Sequence, residues 1–450
     1  MSTGMISIAQ TGVNAAQEAL ATISSNIANA SNPNYSAESV DLAAITGPGG
    51  VGQGVEVTGV SAAQLPFINS QISDAQSQES YNASYAQLTQ IGQTFLVPQS
   101  GQNLGAAIQN LFNAFTNLSA SPQDMSLRQA VLSAAQSLAQ QSQTINNGLA
   151  QTESNALAGL PSVIGQVNDL ATQMAQINTQ IQSAQASGSS APVLVDQRNA
   201  IAQNLASLVG ATTDSNGNVS IGGAPLVSGS QSFALELTVS GTNASLQIKL
   251  PQGALAVANS QVGGEVGGTI AAVSTLSQAA AQINGLVDAV ANAVNTQQEA
   301  GYGLSGSTGI PLFVVPTTGG PIQVNPSLSA AQIGAAQTLA GVPGDGSNAA
   351  AMAALQNSTG LDASFPGSTP GQAWSQITAA FGAQVQNASQ QQSQAQDLVQ
   401  SLQQLQSSVS GVSINEQLTM LLQYQNALEA SGRAIAVGLN LTQFLISNLQ

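Results

Sequence analysis

The sequence predicts a mainly α protein. A long, coiled-coil-like helical bundle is formed by the N- and C-terminal segments and carries an inserted α+β domain. Three observations lead there. Apolar residues recur at heptad spacing over long stretches near both ends. Strand-type alternation is strongest in the middle of the chain. The composition also suits closely packed helices: 43% of the 450 residues are hydrophobic, but only 3% are aromatic, so much of the apolar content is Ala, the best helix former.

In the first segment Ile6, Val13, Leu20 and Ile27 recur every seven residues, and Ala9, Ala16, Ile23 and Ala30 fill a second row. Asn32-Pro33 ends this helix, because the residue before proline resists the helical region. A Gly-rich stretch follows in which Val55, Val57 and Val60 suggest a strand. Two helical patterns run from about 65 to 120, separated near Pro98-Gln99-Ser100-Gly101. Ser121 or Asp124 can cap the next helix, with Asp124 and Arg128 as an i,i+4 pair. Val163, Val167, Leu170, Met174, Ile177, Ile181 and Ala184 continue it, and Pro161 is expected to kink or interrupt it. "ASGSSAP" at 186–192 reads as a boundary.

Phe233, Leu235, Leu237 and Val239, the turn Ser240-Gly241-Thr242-Asn243, then Leu246, Ile248 and Leu250 form a strand–turn–strand unit. A helix carries Val273, Leu276, Ala280, Ile283, Val287, Val290 and Val294. Short strands are expected within 301–326 and small helices near 330–340 and 349–357. Heptads return at Ile377, Phe381, Ala388, Ala395, Leu398, Leu402, Leu405 and Val409. After Gly411 a last helix has Ile414, Leu421, Leu428 and Ile435 in one row, and Leu418, Leu439 and Ile446 in its neighbour. The expected segments are 1–60 (terminal helix and short β stretch), 61–188 (long helices), 189–366 (the inserted domain), 367–410 (long helix) and 411–450 (terminal helix). Isolated terminal helices are marginal in water unless something covers them. The two ends therefore pair with each other or with neighbouring subunits.

Charge excludes several function classes. The basic residues are Arg128, Arg198, Lys249 and Arg433, and twenty acids bring the net charge to −16. No basic patch serves nucleic acid, and an anionic membrane surface would repel the chain. Without His or Cys there is no thiol, disulfide or imidazole chemistry. No metal site, cofactor or catalytic set is expected. Gly47-Pro48-Gly49-Gly50-Val51-Gly52 matches GxGxxG, but strand-type alternation follows it where a dinucleotide site needs a helix, so it reads as a turn. "DSNGN" at 214–218 places its Gly too early for a calcium loop and has no closing Glu, so it reads as a β-turn. The N-terminus has no basic region of the Sec type. No apolar run reaches the length of a membrane span.

The two ends carry the resemblance. "ISSNIANASNPNYSAESVDL" resembles the N-terminal signature of bacterial flagellar rod, hook and hook-associated axial proteins, at Asn26, Ile27, Ala28, Asn29, Asn32, Pro33, Tyr35 and Ser36. "GVSINEQLTMLLQYQNALEASGRAI" resembles their C-terminal signature, at Asn415, Glu416, Leu421, Gln423, Tyr424, Gln425, Ala427, Ala430, Ser431 and Ile435. Interior stretches such as "SPQDMSLRQAVLSAAQSL" and "VLVDQRNAIAQNLASLVG" look like the hook-associated proteins of the hook–filament junction, with an outer domain trimmed chiefly after Pro311. The resemblance implies a structural, non-enzymatic subunit whose terminal helices pack around a central export channel. The implied assembly interface is Ile6, Val13, Leu20, Ile23, Asn26, Ile27, Asn29, Asn32, Pro33, Tyr35, Ser36, Ile414, Leu418, Leu421, Tyr424, Leu428, Ser431, Ile435 and Leu439. Implied partners are further copies of the chain, the hook protein, the second junction protein and, indirectly, flagellin. A cytoplasmic export chaperone on the C-terminal helix is implied too. The implied location is the extracellular flagellum, reached by type III export without a cleaved signal peptide. A hook or rod subunit is the alternative, and a secreted adhesin a more distant one. Sparse charge also predicts little self-repulsion in acid.

Overall fold

The computed structural model describes residues 2–47, 50–63, 65–98, 101, 103–316 and 320–448. Helix α1 spans Ser2–Asn29, and the hairpin β1 (Glu38–Thr46) and β2 (Gly52–Ala62) follows. Then come α2 (Pro66–Leu96), α3 (Leu104–Ala120), α4 (Met125–Ala186) and α5 (Pro192–Val209). The β-rich section holds β3 (Thr212–Thr213), β4 (Val219–Ile221), β5 (Ala224–Ser228), β6 (Gln231–Ser232), β7 (Ala234–Ser240), β8 (Asn243–Leu250) and β9 (Gly253–Val257). Next are α6 (Gly264–Ala300), the short pair β10 (Phe313–Val314) and β11 (Gln323–Val324), and α7 (Ser347–Ala354). The long α8 (Pro370–Ser410) and α9 (Ile414–Ser447) close the chain. The fold is mainly α, with long terminal helices and a small inserted β-rich region, in agreement with the sequence.

Local chemistry sets the helix starts. Asp124 caps α4, accepting from the Ser126 and Leu127 N–H groups at 2.7 and 3.4 Å. Thr369 and Gln372 form a capping box at the start of α8, each satisfying a backbone N–H that the first turn leaves open. The expected Asp124–Arg128 ion pair does not form among the described residues. Arg128 turns inward: its Nε donates to the Pro122 carbonyl at 2.7 Å and its Nη1 to the Ile333 carbonyl at 2.6 Å. Pro161 does not end α4, which runs unbroken through it. The proline lies on the exposed side, so no buried donor is missing.

Two cores result. One joins the end of α2, α3, the first half of α4, the second half of α6, α7, the start of α8 and the loops around 312–335. The other joins the second half of α4, α5, the start of α6 and strands β4, β5, β7, β8 and β9. Helices α4 and α6 contribute to both, so neither core stands without the long helices. In the second core β7 and β8 pair in register with Ser240 opposite Asn243, and Gly241 at φ +62° makes the tight turn. This is the strand–turn–strand unit read from alternation, to which β9 adds a third strand. "DSNGN" is a turn: Asp214 Oδ1 accepts from the Asn216 and Asn218 N–H groups at 2.9 and 2.8 Å. The stretch 330–340 holds two 3-10 turns rather than a longer helix, as Gly334 within it and Gly341 and Pro343 just beyond it disfavour a longer run. Strand β1 is an element that periodicity did not reveal. Pro48 and Gly49 of the GxGxxG stretch, and Gln99 and Ser100 of the expected break, lie outside the described residues.

Glu153, on α4, is 5% exposed, and among the described residues its Oε1 has no hydrogen-bond partner. Burial pushes its carboxyl above the ordinary value of 4.5. The folded state therefore holds this proton more tightly than the unfolded chain does. The stability from this group is complete below pH 4.5 and is lost as pH rises through the higher folded value. Burial shifts Asp288 in the same sense. Half-buried Asp345 is shifted the opposite way by hydrogen bonds from Ser347, and its contribution is lost on acidification. Glu153→Gln is expected to raise stability at pH 7 by about 1–3 kcal/mol. In urea titrations the gain should shrink toward pH 4; a gain that persists there counts against the assignment.

Candidate assembly interface

Helices α1 and α9 lie side by side and antiparallel: Gly12 faces Ser431, and Ile6 faces Gly438. Among the described residues, neither helix contributes to the two cores or to the small α2–α8 cluster of Ile72, Ala75, Val399 and Leu402. The terminal pair is a unit of its own. Its contact is made of small groups. Ala9, Ala15, Ala16, Ala19 and Ile23 are buried on α1. The row Ile6, Val13, Leu20 and Ile27 flanks them half-buried, so the second of the two heptad rows is the deeper one.

On α9 the buried positions are Gln417 and Gly438. With Tyr424 and Ser431 they form a heptad row of polar and small residues, which a search for apolar residues passes over. Leu421, Leu428 and Ile435 flank it half-buried. Ile414 and Leu418 are exposed, and so are Leu439, at 55%, and Phe444, at 64%. A Cβ on Gly438 would sit 2.7 Å from Ile6 Cγ1, closer than packed carbons tolerate. Gly438→Val is therefore expected to pry the N-terminal end of α1 from α9. Hydrogen exchange at residues 5–12 should accelerate at least tenfold while the cores keep their protection; unchanged exchange there refutes the close-contact reading.

The N-terminal signature forms a hydrogen-bonded knot where α1 ends. Asn26 is fully buried and uses its whole amide. Its Nδ2 donates to the Glu38 carbonyl at 2.8 Å and to Gln417 Oε1 at 3.0 Å. Its Oδ1 accepts from the Tyr35 hydroxyl and from the Glu38 N–H, both at 2.9 Å. One side chain thus ties α1 to the turn, to β1 and to α9. Asn29 closes the last turn of α1 through the Ser25 carbonyl at 3.0 Å. Asn32 Oδ1 accepts from the Asn34 N–H at 3.1 Å, and exposed Pro33 fixes the backbone between them. Burial pushes the Tyr35 phenol and the Glu38 carboxyl above their ordinary values, and the charge of Asp196 acts in the same sense. Ser36 reaches further, to Asp196 on α5: its N–H donates to Oδ2 at 2.7 Å and its hydroxyl to Oδ1 at 3.0 Å. The hairpin rests on α1, with the Val55 N–H donating to Thr11 Oγ1 at 3.2 Å.

The structure therefore brings Ile23, Asn26, Tyr35 and the Tyr424–Ser431 face of α9 together, and leaves Ile414, Leu418 and Leu439 facing outward. Sequence reasoning missed Glu38, Gln417 and Asp196. Only Gln417 had a signal, its place seven residues before Tyr424.

The family profile described as flagellar hook-associated protein FlgK helical domain matches residues 88–313, half of the chain. The chain belongs to the FlgK family of flagellar hook-associated proteins. A second profile, flagella basal body rod protein, matches residues 6–35, which covers most of α1 and most of the knot. Flagellar hook-associated protein 1 of Salmonella typhimurium is 29% identical over 335 residues, which is 69% of this chain and 59% of that protein. The Escherichia coli protein of the same description is also 29% identical, over 69% of this chain and 60% of its own length. The Bacillus subtilis one is 25% identical over 51% of this chain and 47% of that protein. The chain thus spans about three fifths of its enterobacterial FlgK relatives. The solved flagellar hook junction protein FlgK of Burkholderia pseudomallei shares the fold, with a TM-score of 0.65 at 19% identity over 76% of this chain and all of that one.

Proposed function

We infer that this FlgK-family chain is a structural subunit of the bacterial flagellum at the junction of hook and filament, and that it polymerises through α1 and α9. The observation that carries this reading is the outward apolar face of a terminal pair that shares neither core. Leu418, Leu422, Val437, Leu439, Phe444 and Ile446 are all exposed in the single chain, a surface that lateral packing with further copies would cover. The family's name, together with the rod-type match at the N-terminus, supports an axial position. Neighbouring axial proteins (hook protein, second junction protein and, indirectly, flagellin) are the proposed contacts above and below. The same exposed end of α9 suits an export chaperone before assembly. No described helix is long and apolar enough to cross a membrane; the proposed placement is extracellular, after type III export. The role assigned is structural rather than catalytic.

Deletion of the gene tests the reading. Cells should carry hooks without filaments and shed flagellin into the medium, and immunogold label on wild-type cells should form a band at the hook tip. Filaments on the deletion strain would refute the junction role. Label along the whole hook would favour a hook subunit instead.

A further inference from the structure

Among the described residues, the joint between the terminal unit and the body of the molecule holds few direct contacts between elements. Beside it lies an open cleft of about 870 Å³, lined by Asn32, Pro33, Asn204, Gln403, Ser407 and Glu416 among others. Apolar packing is sparse there, so the angle between the two parts rests on polar ties. One is the Ala37 N–H donating to the carbonyl of Ser410, the last residue of α8, at 2.8 Å. Another is the Ser190 hydroxyl, which donates to the Val60 carbonyl of the hairpin. The third is the two-pronged pair from Ser36 to Asp196.

The Asp196 pair differs from the others in kind. Its acceptor is a carboxylate, and hydrogen bonds to an ionised group are about twice as strong as neutral ones. Two bonds to two oxygens also fix an orientation where a single bond permits rotation. Asp196 itself is 7% exposed. It sits on α5, which is anchored in the second core by Ile201, Leu205 and Val209. Its partner Ser36 follows directly on the rod-type match, and Asp196 lies within the FlgK helical-domain match. The bond therefore joins the residue next to the rod-type match to a helix of the helical-domain match.

We propose that Asp196 is a positioning residue that sets the angle at which the α1–α9 pair and its hairpin leave the body. Through Ser36 it holds the turn, the turn holds Asn26, and Asn26 holds α9. The pair is taken as the assembling unit from the reading above, but the test uses the monomer and does not depend on polymerisation.

The chain has no cysteine, so a spin-label pair at Gln182→Cys on α4 and Asn426→Cys on α9 reports the angle cleanly. The parent should give one narrow distance distribution by pulsed electron resonance. Asp196→Ala should broaden it at least twofold while the cooperative melting of the body stays in place. Asp196→Asn, which keeps one acceptor oxygen, should restore much of the narrow width. Ser36→Pro removes both donors from the other side of the joint and should broaden it as Asp196→Ala does, which keeps the test open if the alanine variant fails to fold. A width unchanged in Asp196→Ala, or in Ser36→Pro, overturns the proposal. So does broadening that appears only together with loss of the body's melting transition, which would make Asp196 a residue of the fold alone.

Discussion

Arg128→Ala is expected to cost the body about 3–5 kcal/mol, the largest single-residue loss anticipated here. Arg128 is 1% exposed and carries the largest fully buried side chain among the described residues. Among the described residues no carboxylate forms an ion pair with it. Backbone carbonyls do the work: Pro122 and Ile333 at 2.7 and 2.6 Å, with Ala330 and Ala331 at longer range. Burial lowers its pKa, yet an arginine keeps its proton at any pH the protein meets. Each short bond to the charged group contributes about 1.5–3 kcal/mol, and truncation also leaves a cavity between α4 and the 330–333 turn. Arg128→Lys should lose about half as much, because one ammonium cannot span two carbonyls in the fork geometry. Urea unfolding followed by circular dichroism measures both. A loss below about 1 kcal/mol for the alanine variant would mean that water replaces the guanidinium at those carbonyls.

The Arg128 case marks the limit of reading from sequence. Asp124 and Arg128 stand four apart on one helix, and that spacing licensed a surface ion pair. What spacing cannot show is the 330–333 turn, some 200 residues on, which draws the side chain inward. The long helices were legible because each buries one apolar stripe, and a stripe leaves a period in the sequence. Even so the stripe drifted: on α8, Val399 is buried while Leu398 and Leu405 are exposed, since 3.6 residues per turn slips against a strict heptad. Strand β1 left little trace because neither of its faces is buried. The terminal pair was legible as a pair, but its contact row was not. Gln417, Tyr424, Ser431 and Gly438 are chosen for size and hydrogen bonding, and a hydrophobic pattern passes over them. Asp196 had no local signal, because its partner lies 160 residues away.

Asn26→Ala is expected to abolish the proposed polymerisation while leaving the two cores intact. The side chain satisfies both donor and acceptor capacity in a buried site; its loss takes the partner from the Glu38 N–H and the Gln417 amide oxygen and leaves the Tyr35 hydroxyl with Ser25 at 3.3 Å. Leaving each such group unpaired costs about 1–3 kcal/mol. The α1–α9 pair, held elsewhere by alanine-sized contacts, has little else to oppose that loss. The cost falls on the terminal unit, because neither helix belongs to a core. The main melting transition should therefore stay within about 2 °C of wild type, since a ΔΔG confined to another unit does not shift it. Exchange protection in α1 should fall, and cells carrying only this variant should bear hooks without filaments. Asn26→Asp separates the two halves of the amide. It keeps the acceptor for Tyr35 and Glu38 but lacks the donor to the Glu38 carbonyl, and it adds a negative charge beside a Glu38 carboxyl already pushed upward by burial. That variant should assemble poorly at pH 7 and recover toward pH 5, where protonation removes the repulsion and returns a donor. Wild-type filaments with Asn26→Ala would remove the knot from the assembly mechanism. A drop in the main melting transition would instead show that the terminal unit and the cores fold as one.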